Sequence, residues 1–385
     1  MRALALAALG FLAASCAHRP DSPAYGPLCA DEGFAVFTGF AGAGQHGCAL
    51  TREGPVLTVW PEVAIAGPIN PSPWYAFEVE VREPGLIRFG LDYGAYEHRY
   101  RPWATRDDGG TWFPLPAEAV EEVDEGRLAF ISLDAAAGRI RIAAQPIRTP
   151  EQVAAWSAQL ADRHGLKQLV YGQSPQGRPL TALMAGPSTA SRLIVMLTGQ
   201  HPPEYPGARS FEIAAETLLA EVPGDIRVLL IPLFNPDGAV AGHWRHTAAG
   251  IDSNRDWFDA TLPEIEAAQT LIKSESRGRE IVAFLDFHST RRTLVYAPSS
   301  GEPGVQMGFA QDLRSALNQA IEPDPDWIEN HNAGRGTSKS WALERLGVAA
   351  LTIEVGDNAS EYEITEVGKV VARTLLAILS EDRPR

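Results

Sequence analysis

The sequence predicts a chain in two unlike parts. Residues 24–145 read as a small all-β sandwich domain, and residues 149–385 as an α/β domain. The second part is expected to hold a mixed, mainly parallel central sheet with helices on both faces. Three observations carry this. Period-two runs broken by glycine-rich turns fill the front part. A helix start stands at Thr149. Beyond it, β-branched apolar runs alternate with helical patterns. At 385 residues, 45% of them hydrophobic, the chain is long enough for two such cores.

In the front part, "YAFEVEV" sends Phe77, Val79 and Val81 one way and Glu78, Glu80 and Arg82 the other. "LIRFGLDY" alternates again through Ile87, Phe89 and Leu91. The "EPG" between them predicts a hairpin with one buried face. "RLAFISL" and "RIRIAA" supply further strands, and "RDDGGTW" and "AAAGR" further turns.

Thr149 is a good N-cap, Pro150 suits the first helical position and Gln152 completes a capping box, so a helix runs from there to Gly165. Apolar, β-branched runs follow at 193–197, 228–233, 281–287 and 348–355. Helical patterns fall near 207–221, 263–276, 305–321 and 361–379. This alternation implies a sheet covered on both faces.

Residues 1–16 read as a processing segment, with a basic start, a short apolar core and small residues near Cys16. The core is too short for a membrane span. "AASC" resembles a bacterial lipobox with Cys16 as the acylated residue; secretion with cleavage after Ala17 is the alternative. Both readings export the protein from a bacterial cytoplasm, to the periplasm or to an outer-membrane anchor. An oxidising compartment permits a disulfide between Cys29 and Cys48, and two free thiols remain the other option. A net charge of −15 without a Lys/Arg cluster argues against nucleic acid as a partner. Membrane contact is expected only through the lipid anchor.

Open α/β sheets bind ligands outside the carboxyl ends of their strands. Each apolar run here ends in polar residues. The first leads into His201 and Glu204, within "RLIVMLTGQHPPEYPG". The second leads into "NPDG" and "HWRHTAAGIDSNRDW", the third into His288, and the fourth holds Glu354 within "LTIEVGD". Two imidazoles and one carboxylate are a catalytic zinc set with the fourth position open. His201, Glu204 and His288 are therefore expected to hold one Zn2+ per chain. Any one of these histidines alone would read as a hydrogen-bonded structural residue; convergence from separate strands is what favours a metal. His243 and His246, flanking Arg245, read as supporting or surface residues rather than ligands.

The pieces "GQHPPE", "NPDG", "HWR", "DSNRDW", "FLDFHS" and "TIEVGD", in this order, resemble the zinc carboxypeptidases of the carboxypeptidase A type. "YGQSPQGRPL" upstream is similar to that family's lead-in strand. The front part, with "HRYRPWATRDDGGTWFPL", resembles the sandwich that precedes the catalytic domain in the cytosolic-carboxypeptidase-like branch. The resemblance implies hydrolysis of the C-terminal peptide bond of peptides or proteins. It implies Glu354 as the general base that takes a proton from water and passes it to the leaving amine. It implies Arg245 as stabiliser of the oxyanion, and Asn254 and Arg255 as the grip on the substrate's terminal carboxylate.

One feature of the family has no counterpart. Its mobile-loop tyrosine is missing, since Tyr296 is the only tyrosine between His288 and Glu354. His331 falls near the tyrosine's place, either as a donor to substrate or as an ordinary exposed histidine. The segment "GRGTSKSW" carries Arg335 and Lys339 and no acid. It implies a preference for acidic or small polar C-terminal residues, unless both cations face solvent. Two other readings stay open. The missing tyrosine favours a related zinc amidohydrolase acting on cell-wall peptides or acyl-amino acids. A catalytically silent surface-binding lipoprotein would show decay of a key residue.

Overall fold

The computed structural model describes residues 26–65, 72–299 and 306–381. The processing segment with Cys16 lies outside the described residues, among which no helix is long and apolar enough to cross a membrane. The front part contains β1 (Cys29–Ala30), β2 (Phe34–Phe37), β3 (His46–Thr51), β4 (Gly54–Val59), β5 (Ala76–Val81) and β6 (Gly85–Asp92). It continues with β7 (Trp103–Thr105), β8 (Phe113–Pro114), β9 (Val120–Val123), β10 (Leu128–Ala135) and β11 (Gly138–Ala143). These form a six-stranded sheet in the order β1-β2-β5-β11-β7-β8 and a five-stranded sheet in the order β3-β4-β6-β10-β9. β4 and β6 run parallel and the other pairs antiparallel. A disulfide between Cys29 of β1 and Cys48 of β3 ties one sheet to the other.

The hairpin expected across "EPG" does not form. β5 pairs with β2 and β11 in one sheet, and β6 with β4 and β10 in the other. The two apolar faces therefore meet across the core, with the Phe77 and Phe89 rings edge to face at 5.5 Å. Period two says which side chains turn inward; it does not say whether the next strand lies beside or opposite. Glu78, expected on the polar face, is buried because Arg139 and Arg141 of β11 each bind one of its carboxylate oxygens at 3.0 Å.

The α/β part begins with α1 (Pro150–His164), β12 (Lys167–Gln173), β13 (Pro179–Ala185), β14 (Arg192–Thr198), α2 (Tyr205–Glu221) and β15 (Ile226–Ile231). It continues with α3 (Pro236–Ala241), α4 (Pro263–Ser276), β16 (Glu280–Thr290), β17 (Leu294–Ala297) and α5 (Gln306–Ala320). It ends with β18 (Asp326–Glu329), α6 (Ser338–Trp341), β19 (Leu351–Gly356) and α7 (Glu361–Glu381). The capping box of α1 is made: Thr149 Oγ1 accepts from the Gln152 amide, Gln152 Oε1 accepts from the Thr149 amide, and Gly165 ends the helix in the left-handed region.

The eight-stranded sheet has the order β12-β13-β15-β14-β16-β19-β17-β18. Its centre, β15-β14-β16-β19, is parallel; antiparallel pairs occur at β12–β13, β13–β15 and β17–β19. Helices cover both faces, as the sequence pattern predicts. Ile194 and Met196 of β14 join Phe211 of α2 and Val371 of α7 in one core, while Leu193, Val195 and Leu197 join Ile265 and Ile272 of α4 and Trp257 in another. Each such side chain contributes about 1.5–3 kcal/mol relative to exposure. A β-carbon on Gly207 would stand 2.1 Å from the carbonyl oxygen of His288, so only glycine lets α2 approach β16 this closely.

Candidate active site

The central parallel strands deliver their polar residues to one place. After β14 the chain turns at Gly199, presents His201 and Glu204, and enters α2 directly after Glu204. His288 lies in β16 and Glu354 in β19, where the two are register partners. Glu204 Oε1 is 2.8 Å from His201 Nδ1, and its Oε2 is 2.7 Å from His288 Nδ1. Ligand atoms of the three residues lie within 4.8 Å of one another.

The outer nitrogens of both rings face carboxylates. Asp252 Oδ1 is 3.0 Å from His201 Nε2, and Asp286 Oδ2 is 3.0 Å from His288 Nε2. With Nε2–H of each ring donating outward to its carboxylate, Nδ1 is the atom turned to Glu204 and available to a metal. Two imidazole nitrogens and a carboxylate, backed in this way, are a donor set that fits a divalent cation, which would replace the protons the rings share with Glu204. Carboxylates flank both rings. Burial alone would lower the His288 pKa, but Asp286 and Glu204 outweigh it and hold it well above the usual value. Burial alone would raise Glu204, yet the two histidines hold it well below the carboxylate range.

Glu354 behaves differently. Burial, reinforced by the charge of Glu204, pushes its carboxyl up to about 8 against the opposing pull of His288 and Arg245. Its Oε2 is buried and has no hydrogen-bond partner among the described residues. A carboxylate with a poised proton affinity and a free oxygen beside a cation site can move a proton.

Arg245 donates through Nε to Asp252 Oδ2 at 2.7 Å, so Asp252 joins it to His201. Asp252 also accepts from the Asn254 amide at 2.9 Å. Asn254 Oδ1 accepts from the Ser338 amide at 3.0 Å, and Arg255 Nη1 donates to the Asn254 carbonyl at 2.7 Å. Gln200 Nε2 and the Ser338 hydroxyl both donate to Asp286 Oδ2.

A cleft of about 130 Å³ is lined by His201, Glu204, His288, Arg245, Asn254, Arg255 and Glu354, with His331 and Lys339. The two cations of "GRGTSKSW" therefore part company. Arg335 is exposed and stands outside the lining, whereas Lys339 is buried at 6% exposure, with Nζ donating to the His331 carbonyl at 3.2 Å. Burial lowers the Lys339 ammonium to about 8. His331 is both exposed and part of the cleft, its ring stacked on Tyr296 at 4.1 Å. The expected supporting role fits His246, which is buried and contacts Glu62 through Nδ1 at 3.0 Å.

Several residues of the cleft or of the layer behind it carry no assignment from the sequence. Asp252 and Asp286 each carried a signal: one lies inside "DSNRDW", the other two residues before His288 on the same face of a strand. Tyr296, which the sequence does not place in the site, lines the cleft. Arg99 comes from the front part, with Nε bound to Asp357 Oδ2 at 2.8 Å and its guanidinium 5.3 Å from the Trp244 ring. No local signal marks it, because its place depends on how the two parts meet.

Known proteins resemble the chain in sequence and in fold. Cytosolic carboxypeptidase 2 of Danio rerio is 33% identical over 113 residues, 27% of this chain and 16% of that protein. An uncharacterized protein of Zymomonas mobilis subsp. mobilis is 32% identical over 251 residues, 58% of this chain and 64% of that protein. The chain thus spans less than two thirds of either relative. The crystal structure of a metallo-carboxypeptidase from Burkholderia cenocepacia superposes with a TM-score of 0.76, over 91% of this chain and 100% of that one, at 18% identity. The family model for zinc carboxypeptidases matches residues 153–371, more than half the chain and the stretch that supplies both histidines, Glu204 and Glu354, and on this match the chain belongs to the zinc carboxypeptidase family.

Proposed function

We propose that the protein is a zinc-dependent carboxypeptidase that hydrolyses the C-terminal peptide bond of peptides or proteins outside the cytoplasm. The observation that carries this reading is the pairing of Glu354 with His288 across adjacent strands, in a cleft that also holds Arg245, Asn254 and Arg255. His201, Glu204 and His288 would hold one Zn2+ per chain. Zinc in such a site polarises a carbonyl and lowers the pKa of water. Glu354 takes a proton from the attacking water and passes it to the departing amine as the C–N bond breaks. Arg245, steadied by Asp252, stabilises the negative charge on the carbonyl oxygen. Arg255 and Asn254 hold the substrate's terminal carboxylate, which restricts cleavage to the last peptide bond. Lys339 tilts the terminal side chain towards acidic or small polar residues.

The Cys29–Cys48 disulfide supports export, because such bonds persist in oxidising compartments. Cys16 would carry the lipid anchor, and Cys16→Ser should then move the protein from the membrane to the soluble fraction. A second reading, a zinc amidohydrolase acting on cell-wall peptides or acyl-amino acids, draws on the missing loop tyrosine, near whose place His331 lines the cleft. A digest of a mixed peptide library, read by mass spectrometry with and without chelator, separates the two. Chelator-sensitive loss of single C-terminal residues supports the carboxypeptidase. Intact peptides alongside cleaved N-acyl amino acids would overturn it.

A further inference from the structure

We infer that Glu62, in the segment after β4, is a positioning residue for Arg245: it fixes the loop that carries the arginine, and through it the β-sandwich completes the active site. The inference rests on the role proposed for Arg245. Glu62 Oε1 accepts from the Arg245 amide at 2.9 Å, from the His246 amide at 3.2 Å and from His246 Nδ1 at 3.0 Å. Its Oε2 accepts from the Trp244 amide at 3.2 Å. Three consecutive backbone N–H groups thus converge on one carboxylate whose side chain is 5% exposed. Successive amides aimed at one point form an anion-holding nest, and hydrogen bonds to a charged acceptor are the stronger kind. Although burial opposes ionisation, the His246 side chain and these amides lower the Glu62 carboxyl to about 2, so it is charged at neutral pH.

The loop and the end of α3 that leads into it are held by the front part at further points. Trp244 belongs to the core between the two sandwich sheets, and its Nε1 donates to the Tyr100 hydroxyl at 2.7 Å. Gly42 donates to the Val240 carbonyl at 2.9 Å. Gly242 has φ +67°, and a β-carbon there would stand 1.9 Å from the Ala43 carbonyl oxygen, so the two segments are in direct backbone contact. Arg245 is consequently fixed twice, at its backbone by Glu62 and at Nε by Asp252. A donor aimed at a developing oxyanion works only when its position is set before the reaction. The nest supplies that setting from outside the α/β part.

Steady-state kinetics of the full-length, zinc-loaded protein on a peptide with a free C-terminus test this, using Glu62→Ala, Glu62→Gln, Arg245→Ala and the double variant Glu62→Ala/Arg245→Ala. Glu62→Ala should lower kcat by roughly ten- to a hundredfold with KM and zinc content unchanged. Glu62→Gln keeps an acceptor for the Arg245 and His246 amides and should recover part of the loss. In the Arg245→Ala background, Glu62→Ala should cost nothing more. A folded Glu62→Ala or Glu62→Gln with wild-type kcat would overturn the inference, and so would an equal loss in both backgrounds, which marks a merely structural acid. If Glu62→Ala does not fold, Glu62→Gln carries the comparison. Wild-type turnover in Arg245→Ala would instead overturn the role of the arginine itself, and the inference with it.

Discussion

Asp252 stands 3.0 Å from Nε2 of His201, across the imidazole from Glu204, and its other oxygen accepts from Arg245 at 2.7 Å. One buried acid therefore orients both a proposed metal ligand and the proposed oxyanion donor. The charges of Arg245 and His201 overcome the cost of its burial and hold its carboxyl well below the usual range.

Asp252→Asn preserves shape and removes the charge that steadies the ring. Zinc affinity should fall by about 10–100-fold, the usual cost of losing an outer-shell carboxylate. Competition with a chromogenic chelator measures it. Unchanged affinity would mean that His201 is oriented by its other contacts.

His288→Ala removes one of three proposed ligands from the middle of a rigid sheet. The fold should persist by circular dichroism while zinc stoichiometry by elemental analysis drops well below one per chain. Full stoichiometry in that variant places the metal elsewhere.

Lys339, not Arg335, is expected to set the preference for the terminal side chain, since only Lys339 lines the cleft. In a series of peptides differing only in the last residue, Glu should leave faster than Lys or Arg. Lys339→Ala should erase that order and Arg335→Ala should keep it. Because burial lowers the Lys339 ammonium to about 8, the preference for Glu should fade as pH rises through that value. Faster release of Lys or Arg at neutral pH would contradict the assignment.

Two histidines of the sandwich, His46 buried and His98 half-buried, give its stability a pH dependence. Burial lowers both His46 and His98 from 6.5 to about 4, so the folded state keeps them neutral. Their contribution is complete above the unfolded value of 6.5 and is lost as pH falls through the window down to about 4. The urea midpoint of the metal-free protein should fall across the upper part of that window, and less steeply in His46→Gln. An identical slope in the variant would mean that His46 does not titrate on unfolding.

The α/β part was legible because its signals are local. The capping box at Thr149 and the apolar runs at 193–197 and 281–287 each announce one element, and His201, Glu204, His288 and Glu354 sit at the ends of, or within, such runs. Features set by distant contacts were not legible. The strands around Phe77 and Phe89 alternate correctly yet lie in opposite sheets, because alternation carries no information about the partner strand. Glu62 meets Arg245 across 183 residues, and Arg99 meets Asp357 across 258, so neither contact leaves a trace in local spacing. Lys339 and Arg335 look alike in the sequence, and only packing buries one and exposes the other.

The most direct measurement compares wild-type protein and Glu354→Gln, both loaded with zinc, on one peptide with a free C-terminus. Release of the terminal residue is followed by mass spectrometry, and zinc is quantified in the same samples. Equal zinc content with turnover lower by about two orders of magnitude or more in Glu354→Gln is the expected result. Near-normal turnover in Glu354→Gln at equal zinc, or wild-type activity that survives complete metal removal, would contradict the proposed chemistry.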